Sequence, residues 1–367
     1  EEAMNNNKNN NNTITLLLWA RKTHMPRTET LMFMREEDEV ICNIPCKYTF
    51  DRGAAATASA IVLLLDRINK EDPIPTTTTT TTIGLTWENH LTRSYNGAPL
   101  NLAFFHSSPQ IALSGRSYEI EAKAIESVKY FAGYHLDSEV VFPYQAIATF
   151  KKEFQQVASS PDAMLAAKRE FDRRKKSVAV MISNCQSTMK PNRMSVLREL
   201  SKYFPIDSFG ECLQNRGNDI NDIYNGESGD MYKDFLFGIA WENSYGQDYV
   251  SEKVFNVLNS GGLPIYVGTP GGLDFLPSKE SVIFADTFYD FATDTTDVKR
   301  LGSLLNHLAN NFTAYMEYME WRKLPLPSRF IRLANLADAE GPYGNKICRL
   351  CNCAAGKLGC NEKFGDI

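Results

Sequence analysis

One stretch of the sequence decides the fold: FLFGIAWENSYGQDYVSEKVFNVL at residues 235–258, followed by GGLPIYV at residues 261–267. The apolar run Phe235–Trp241 predicts a buried strand, and the polar turn after it contains Asn243 and Gly246. Helical periodicity then runs from Val250 to Leu258 and stops at a glycine pair, before the second apolar run. This order of elements predicts a βαβ unit.

The polar turn falls where α/β proteins bind their ligands, because helix N-termini at the carboxyl ends of parallel strands attract phosphate. Tyr249, Glu252 and Lys253 are spaced i, i+3, i+4, which predicts that they share one side of the helix near its amino end. Lys253 would provide a positive charge to a phosphate, Glu252 would accept hydrogen bonds from sugar hydroxyls, and Tyr249 would supply a hydroxyl and an apolar face. The spacing alone fits a solvated Glu/Lys pair on an ordinary amphipathic helix equally well.

A second βαβ unit precedes the first. The pattern predicts a strand at Ser177–Ser183, a helix at Asn192–Phe204 and another strand at Pro205–Phe209. Arg193 lies in the first turn of that helix, so its position is equivalent to that of Lys253. Two cations are therefore expected to converge on one edge of a sheet.

The wider sequence around Asn243 closely resembles the signature of family 10 glycosyltransferases, the α1,3/1,4-fucosyltransferases. The matching segments are YVSEK at residues 249–253 and PIYVG at residues 264–268. Blocks on both sides resemble the same family: Ser183-Asn184-Cys185 with Arg193, Leu200–Tyr203, Ile206–Gly210, Cys212, Asp274-Phe275, Ser278, a helix at Leu304–Tyr318 with Trp321, and Cys348–Cys351. The resemblance is dense from Ser177 onward and patchy before it.

The resemblance implies an α/β fold of the GT-B type, with two Rossmann-like domains facing across a cleft. It implies an inverting enzyme that transfers L-fucose from GDP-fucose to a glycan hydroxyl, the 3-OH of N-acetylglucosamine. It also implies a Golgi lumenal, type II membrane protein that acts on glycan or glycoprotein acceptors. Carried over residue by residue, the expected donor-binding residues are Arg193, Asn243, Tyr249, Glu252 and Lys253.

The catalytic base is less clear from the sequence. The family has Glu-Ser-Pro where this chain has His106-Ser107-Ser108-Pro109, after a strand predicted at Leu102–Phe105. We expect His106 to be the base, because an imidazole titrates near neutral pH and a serine hydroxyl does not. A purely structural histidine at the end of a strand is the other interpretation, and the rival bases are Glu88, Glu119 and Glu121.

The expected chemistry needs a base on one face of the sugar and cations on the other, because the transition state resembles an oxocarbenium ion. Arg193, Lys253 and two helix N-termini could stabilise the departing diphosphate. No Asp-x-Asp motif lies at a convincing strand end. An obligatory metal is therefore not expected, although divalent ions could stimulate.

Length and charge fit this interpretation. The 367 residues suffice for two domains, and a net charge of −5 makes nucleic acid an improbable partner. We expect a low-complexity stem remnant at 1–12, an acceptor-binding domain at 13–160, a GDP-fucose-binding domain at 161–345 and a Cys-rich tail at 346–367. The chain begins at Glu1 and has no apolar run of roughly 18 residues. The family resemblance implies a membrane anchor ahead of the catalytic domain, so we expect this chain to be a fragment that lacks it.

The eight cysteines and two glycosylation sequons, at Asn11 and Asn311, favour an oxidising secretory lumen. The Cys348-x-x-Cys351 spacing would also suit a zinc knuckle. The family resemblance favours a tail cross-linked by disulfides. The cysteines are Cys42, Cys46, Cys185, Cys212, Cys348, Cys351, Cys353 and Cys360.

Two other functions stay open at this point. One is a two-domain transferase that uses a different nucleotide sugar. The other is a glycan-binding homologue that kept the fold and lost the catalytic base, which the missing glutamate before Ser-Pro would explain.

Overall fold

The structure is a computed structural model, and it describes residues 13–19, 42–49, 51, 54, 58–64, 100–105, 130–144, 146–154, 161–183, 185, 192–216, 229–243, 246–268, 270–290, 295–338 and 346–355. These form two compact units. The first takes its described residues from Glu1–Ser107, Ile111–Phe142 and Asp338–Ile367, and the second from Pro143–Ala337. Within these ranges, no helix is long and apolar enough to cross a bilayer.

The described α-helices are, in chain order, α1 (Ala146–Phe154), α2 (Pro161–Arg173), α3 (Arg193–Leu200), α4 (Glu252–Asn259), α5 (Val298–Asn310), α6 (Phe312–Glu317), α7 (Ser328–Ala337) and α8 (Lys346–Ala354). Short 3₁₀ helices lie at Asp230–Asp234, Pro270–Phe275, Lys279–Ser281, Ala285–Phe288 and Glu320–Lys323.

The first unit contains a parallel sheet of β1 (Ile14–Trp19), β2 (Cys46–Thr49), β3 (Ala60–Leu64), β4 (Leu100–Phe105), β5 (Tyr130–Gly133) and β6 (Val140–Val141). The strand order is β2-β1-β3-β4-β5-β6, and all neighbours run parallel. Helix α8 packs on this sheet, where Ile347 and Leu350 join the core around Leu16 and Leu18.

The second unit has a parallel sheet of β7 (Lys175–Val180), β8 (Ile206–Ser208), β9 (Phe235–Trp241), β10 (Leu263–Val267) and β11 (Ile283–Phe284). Its order is β11-β10-β9-β7-β8, with all neighbours parallel. A short antiparallel pair, β12 (Tyr289–Asp290) and β13 (Thr295–Thr296), lies outside it.

Both sheets follow the doubly wound order 2-1-3-4-5, which the first sheet extends with a sixth strand. After the second strand, the chain returns past the first and adds the third strand on its other side, so the order in which strands are added reverses between the first and third strands. In the second unit the reversal lies between β7 and β9. The expected α/β class with two Rossmann-like units, the components of a GT-B fold, is confirmed.

Strand β9 is apolar throughout because every one of its residues is buried, as expected of a parallel strand covered on both faces. Phe237, Ile239 and Trp241 lie in a core shared with helices α3, α5 and α6. On the other side, α4 packs on β9, where Val257 lies in a second cluster with Phe235 and Tyr232. This packing fixes the amino end of α4 near the carboxyl end of β9.

Two predicted helix limits are corrected. Helix α4 begins at Glu252, not at Val250, so Tyr249 precedes the helix. The single helix predicted at Leu304–Tyr318 is two helices, α5 and α6, separated at Asn311. Asn311 has an extended backbone, and its Oδ1 accepts a hydrogen bond from the N–H of Ala314 at 3.1 Å, which caps α6.

The disulfides expected from the cysteine content are confirmed: Cys42–Cys348, Cys46–Cys351 and Cys185–Cys212. A zinc knuckle that uses Cys348 and Cys351 is excluded, because neither residue has a thiolate to offer a metal. The first two bonds join the tail to β2 and the segment before it. The third joins the segments that follow β7 and β8.

Candidate functional site

The candidate site lies at the carboxyl ends of β7 and β9, where the strand order of the second sheet reverses. Glu242 and Asn243 directly follow β9, and Arg193 begins the helix that follows β7. Helix α4 begins at Glu252, after the turn that follows β9. Ligands of doubly wound sheets bind at this kind of reversal, so the fold places the predicted residues where a nucleotide is expected.

Glu242 is the most enclosed carboxylate of the site, because its side chain has no exposed surface. Its two carboxylate oxygens accept hydrogen bonds from the backbone N–H of Ser251 at 2.8 Å and from the Ser251 hydroxyl at 2.6 Å. Burial raises the pKa of Glu242, while the Lys253 ammonium and the two hydrogen bonds from Ser251 act in the opposite direction. The carboxylate thus fixes the residue that immediately precedes α4.

Lys253 is held by three oxygens. Its Nζ donates to the Ser251 hydroxyl at 2.8 Å and to Glu252 at 3.0 Å, and it lies 3.4 Å from Glu242. Burial lowers the pKa of Lys253, but the carboxylates of Glu242 and Glu252 outweigh burial and raise it overall. The side chain is 21% exposed, so a fully charged ammonium lies within reach of a bound anion.

Glu252 differs from Glu242 in exposure. Its side chain is 52% exposed. Burial raises the pKa of Glu252, but the Lys253 ammonium together with hydrogen bonds from Lys253, Ser251 and its own backbone lowers it overall. A ligand can therefore approach Glu252 and can replace it as a partner of Lys253. Glu242 cannot be replaced in this way, because it is completely enclosed.

Tyr249 does not belong to the helix face that the i, i+3, i+4 spacing predicts. It follows Asp248, whose φ of 57° is left-handed, and it precedes the extended Ser251, so the chain turns sharply before α4. Only 3% of Tyr249 is exposed, and its ring meets Tyr144 edge-on with centroids 5.8 Å apart. Burial raises the pKa of Tyr249 to about 12.

Arg193 and Asn243 contact each other directly. Nη1 of Arg193 donates to Oδ1 of Asn243 at 3.2 Å, and the arginine is 1% exposed. Burial lowers the pKa of Arg193, and the positive end of the α3 dipole adds a further cost for a cation in this position. Because Asn243 directly follows Glu242, two adjacent residues connect Arg193 to Lys253 across the reversal point.

Tyr266 is fully buried near the end of β10. Its hydroxyl lies so close to Gly268 and Gly272 that a Cβ at either position would overlap it. Val250 also lies close to Gly272. The two glycines therefore let the loop after β10 lie against the turn that leads to Lys253.

Two residues of this arrangement were not assigned by the sequence reasoning: Glu242 and Ser251. The available signal for Glu242 was a carboxylate directly after seven apolar residues, in Trp-Glu-Asn. The expected base His106 and its rivals Glu88, Glu119 and Glu121 lie outside the described residues.

Together these features define the class of protein. A Rossmann-like unit with one buried and one partly buried cation at the reversal of its sheet, and an exposed carboxylate beside one of them, is suited to an anionic nucleotide ligand. Residues 171–362, just over half of the chain, match the family described as "Glycosyltransferase family 10 (fucosyltransferase) C-term". The chain belongs to this family, and the resemblance in the sequence is confirmed.

Curated relatives carry two kinds of fucosyltransferase name. GDP-fucose protein O-fucosyltransferase 3 of Xenopus laevis is 29% identical over 174 residues, which cover 46% of this chain and 35% of the relative. Alpha-(1,3)-fucosyltransferase B of Drosophila melanogaster is 34% identical over 179 residues, which cover 46% of this chain and 38% of the relative. The match spans little more than a third of the length of these relatives.

Among solved structures, an α1,3-fucosyltransferase crystallised with GDP-fucose aligns with a TM-score of 0.43 and 13% sequence identity. The alignment covers 70% of this chain and 82% of that one.

Proposed function

We propose that this chain is an inverting fucosyltransferase, which moves L-fucose from GDP-fucose to the 3-OH of N-acetylglucosamine in a glycan. The observation that carries the proposal is a pair of cations, the buried Arg193 and the partly buried Lys253, at the reversal point of a family 10 domain. A diphosphate is the group that such a pair suits best, because it offers several charged oxygens to each cation.

The cost of holding Arg193 supports an anionic ligand. A guanidinium that is buried at the amino end of a helix is disfavoured both by desolvation and by the helix dipole. A bound diphosphate would offset both costs. Lys253 would exchange its exposed partner Glu252 for a phosphate oxygen and keep Glu242 and Ser251, so its position would change little.

The remaining donor residues have complementary roles in this proposal. Glu252, once released by Lys253, would accept hydrogen bonds from the hydroxyls of the sugar or ribose. Asn243 would orient Arg193, and Tyr249 would supply an apolar wall rather than a free hydroxyl, since its side chain is buried.

In the transfer step, the acceptor oxygen bonds to the anomeric carbon on the face opposite GDP. The bond from that carbon to the diphosphate oxygen breaks, the acceptor proton passes to a base, and GDP leaves with the bonding electrons. Arg193 and Lys253 would stabilise the charge that builds on the diphosphate. Transfer in the presence of EDTA tests our expectation that no metal is obligatory.

We keep His106 as the proposed base. The variant His106→Ala should bind GDP-fucose as the parent does and transfer fucose roughly 100-fold more slowly, which is the usual scale of general base catalysis. Transfer at the parental rate would redirect the search to Glu88, Glu119 and Glu121. Transfer rate and GDP-fucose affinity are measured on the same preparation.

The test of the function is a transfer assay with two donor classes and three acceptors. We expect GDP-fucose, and not UDP-sugars, to fucosylate a glycan with a terminal N-acetyllactosamine or an N-glycan core, with Lys253→Ala as the inactive control. Turnover with a UDP-sugar would overturn the donor assignment. GDP-fucose that binds but is not transferred to any acceptor would favour a glycan-binding homologue.

A protein hydroxyl is the second candidate acceptor, because relatives of this chain include a protein O-fucosyltransferase. A folded protein acceptor is therefore the third member of the panel. Fucose on its serine or threonine, with no transfer to either glycan, would replace the GlcNAc assignment.

We also propose a secretory location. The three disulfides seen among the described residues support an oxidising compartment. The Golgi lumen and an N-terminal membrane anchor are proposed for the full protein, and fluorescence microscopy of the tagged full-length protein tests both.

A further inference from the structure

The junction of α5 and α6 carries a feature that the proposed transfer reaction does not use. Asn311-Phe312-Thr313 is an N-glycosylation sequon, and Asn311 and Thr313 are both exposed. The Asn311 Oδ1 caps α6 through the N–H of Ala314. No hydrogen bond from Nδ2, the atom that a glycan would modify, is seen within the described residues. The cap and the modification therefore use different atoms of one side chain.

The junction lies at the edge of the second sheet opposite the candidate site. Lys176, the second residue of β7, donates to Oδ1 of Asn310 at 3.4 Å. The Tyr315 hydroxyl donates to the carbonyl of Leu236, the second residue of β9, at 2.9 Å. Both contacts are at the amino ends of strands whose carboxyl ends carry the site. A strand of six residues spans about 20 Å, so a glycan on Asn311 would leave the site open.

We propose that Asn311 carries an N-linked glycan, so that this chain is itself a glycoprotein. The disulfides of the described part of the chain fit maturation in the compartment where such glycans are added. In the step, Nδ2 of Asn311 bonds to the anomeric carbon of a lipid-linked oligosaccharide. The carbon–oxygen bond to the lipid pyrophosphate breaks, the pyrophosphate leaves with the electrons, and the amide nitrogen loses one proton. The host's glycan-transfer machinery performs this step, so the proposal does not rest on fucosyl transfer.

The test maps the site on the full chain, directed into the secretory pathway of mammalian cells. Folded protein from the medium and from microsomes is treated with peptide N-glycosidase in heavy-oxygen water, which converts a glycosylated asparagine into labelled aspartate. We expect label at Asn311. An unlabelled Asn311 in both pools would overturn the proposal. Because Asn11 is also a sequon, the label is assigned by peptide sequencing and not by a shift in total mass.

Three variants test whether the label depends on the sequon. Asn311→Asp and Thr313→Ala should both lose the label, and the aspartate keeps an oxygen that can cap α6. Asn310→Gln leaves the sequon intact and should keep the label. Both unlabelled variants should bind GDP with the parental affinity, because the glycan lies at the opposite edge. A folded Asn311→Asp variant with weaker GDP binding than its parent would contradict that placement. A labelled parent that does not bind GDP would contradict only the proposed function.

Discussion

At the scale of single residues, Lys253 is placed between two carboxylates with different properties. Glu242 is fully enclosed and is fixed by Ser251, whereas Glu252 is half exposed. The first holds the ammonium in place, and the second can give way to a ligand. A charged lysine that keeps one permanent partner costs less to hold in an empty site and is already positioned for a phosphate.

The first prediction concerns the pairing of Glu242 with Lys253. Glu242→Gln should lower the free energy of unfolding by about 1–3 kcal/mol, because the partly buried ammonium loses its enclosed partner. In a double-mutant cycle with Lys253→Met, the coupling should be favourable by about 1–2 kcal/mol. Denaturant unfolding of the four proteins measures it.

The matched control for this cycle is Glu252→Gln with the same lysine variant. Its coupling should stay below about 1 kcal/mol, because an exposed pair is screened by water. Equal couplings for both glutamates would show that burial of Glu242 is irrelevant to the pair.

The second prediction concerns the two cations. Lys253→Ala and Arg193→Ala should each weaken GDP binding by roughly 10- to 100-fold, which corresponds to the loss of a charge-assisted contact of about 1.5–3 kcal/mol. Calorimetric titration with GDP measures the affinities, and a melting curve of each variant separates loss of fold from loss of binding.

Exposed cations on and just after α3 provide the controls for these variants. Arg198→Ala and Lys202→Ala should bind GDP as the parent does, because both side chains are exposed and lie toward the far end of the helix. Parental GDP affinity in folded Lys253→Ala and Arg193→Ala would remove the basis of the proposed donor site.

At the scale of elements, the position of Lys253 depends on how closely α4 packs against β9. Gly238 in the middle of β9 provides the room. A Cβ there would lie 2.7 Å from Cδ1 of Tyr232 and 2.7 Å from Cγ2 of Val257, a residue of α4. The strand lacks a side chain at the point where the helix crosses it.

The third prediction follows from this contact. Gly238→Ala should lower the free energy of unfolding by about 1–3 kcal/mol, because the added methyl group overpacks a closely packed contact. Gly229→Ala is the control, since a Cβ there meets nothing within 4 Å. Urea unfolding of both variants gives the comparison, and equal stability would show that α4 can move away from β9 without cost.

Elements with strong apolar periodicity were predictable. The strands expected at residues 102–105 and 235–241 are present, because strands of a parallel sheet have continuous apolar runs that are visible in the sequence. The exact beginning of α4 was not visible, because the chain turns at the left-handed Asp248 and the extended Ser251 is held by Glu242, nine residues earlier. The pattern of apolar residues continues across Asn311, so it did not indicate that Asn311 ends α5 and caps α6.

The site was predictable in its cations and not in its buried anion. Arg193 and Lys253 follow from helix starts after apolar strands, which is a local pattern. The role of Glu242 depends on Ser251, nine residues later, whose backbone turns back toward the strand end. A sequence pattern does not show that Ser251 folds back onto Glu242. The buried carboxylate of Glu242 and the exposed one of Glu252 therefore cannot be distinguished from the sequence.

At the scale of the whole molecule, the two units are not two consecutive segments of the chain. Helix α8 packs on the first sheet although it follows the second unit in sequence, and α1 packs on α4 and α7 in the second unit. The domain limits of 13–160 and 161–345 stay a prediction. Cysteine pairing could not be read from spacing, because Cys348 and Cys351 are 306 and 305 residues from their partners.

The last prediction concerns these two tail disulfides, which close almost the same loop. While one bond is intact, the other closes a ring of only about ten residues, so its removal should cost about 2–3 kcal/mol in the chain-entropy model. Removal of the remaining bond opens a loop of 306 residues, and the same model then gives about 5–6 kcal/mol. The second removal should therefore cost about twice as much as the first, whichever bond is removed first.

The variants that test this are Cys42→Ala with Cys348→Ala, Cys46→Ala with Cys351→Ala, and all four changes together. Hydrogen exchange of peptides from β1 reports the stability of the first unit, and peptides from β9 report the second. We expect protection of β1 to fall modestly in each double variant and steeply in the quadruple variant, while β9 stays protected. Equal steps would contradict the shared loop and would indicate that each bond acts through local packing. Loss of protection in β9 as well would show that the tail stabilises the whole chain and not the first unit alone.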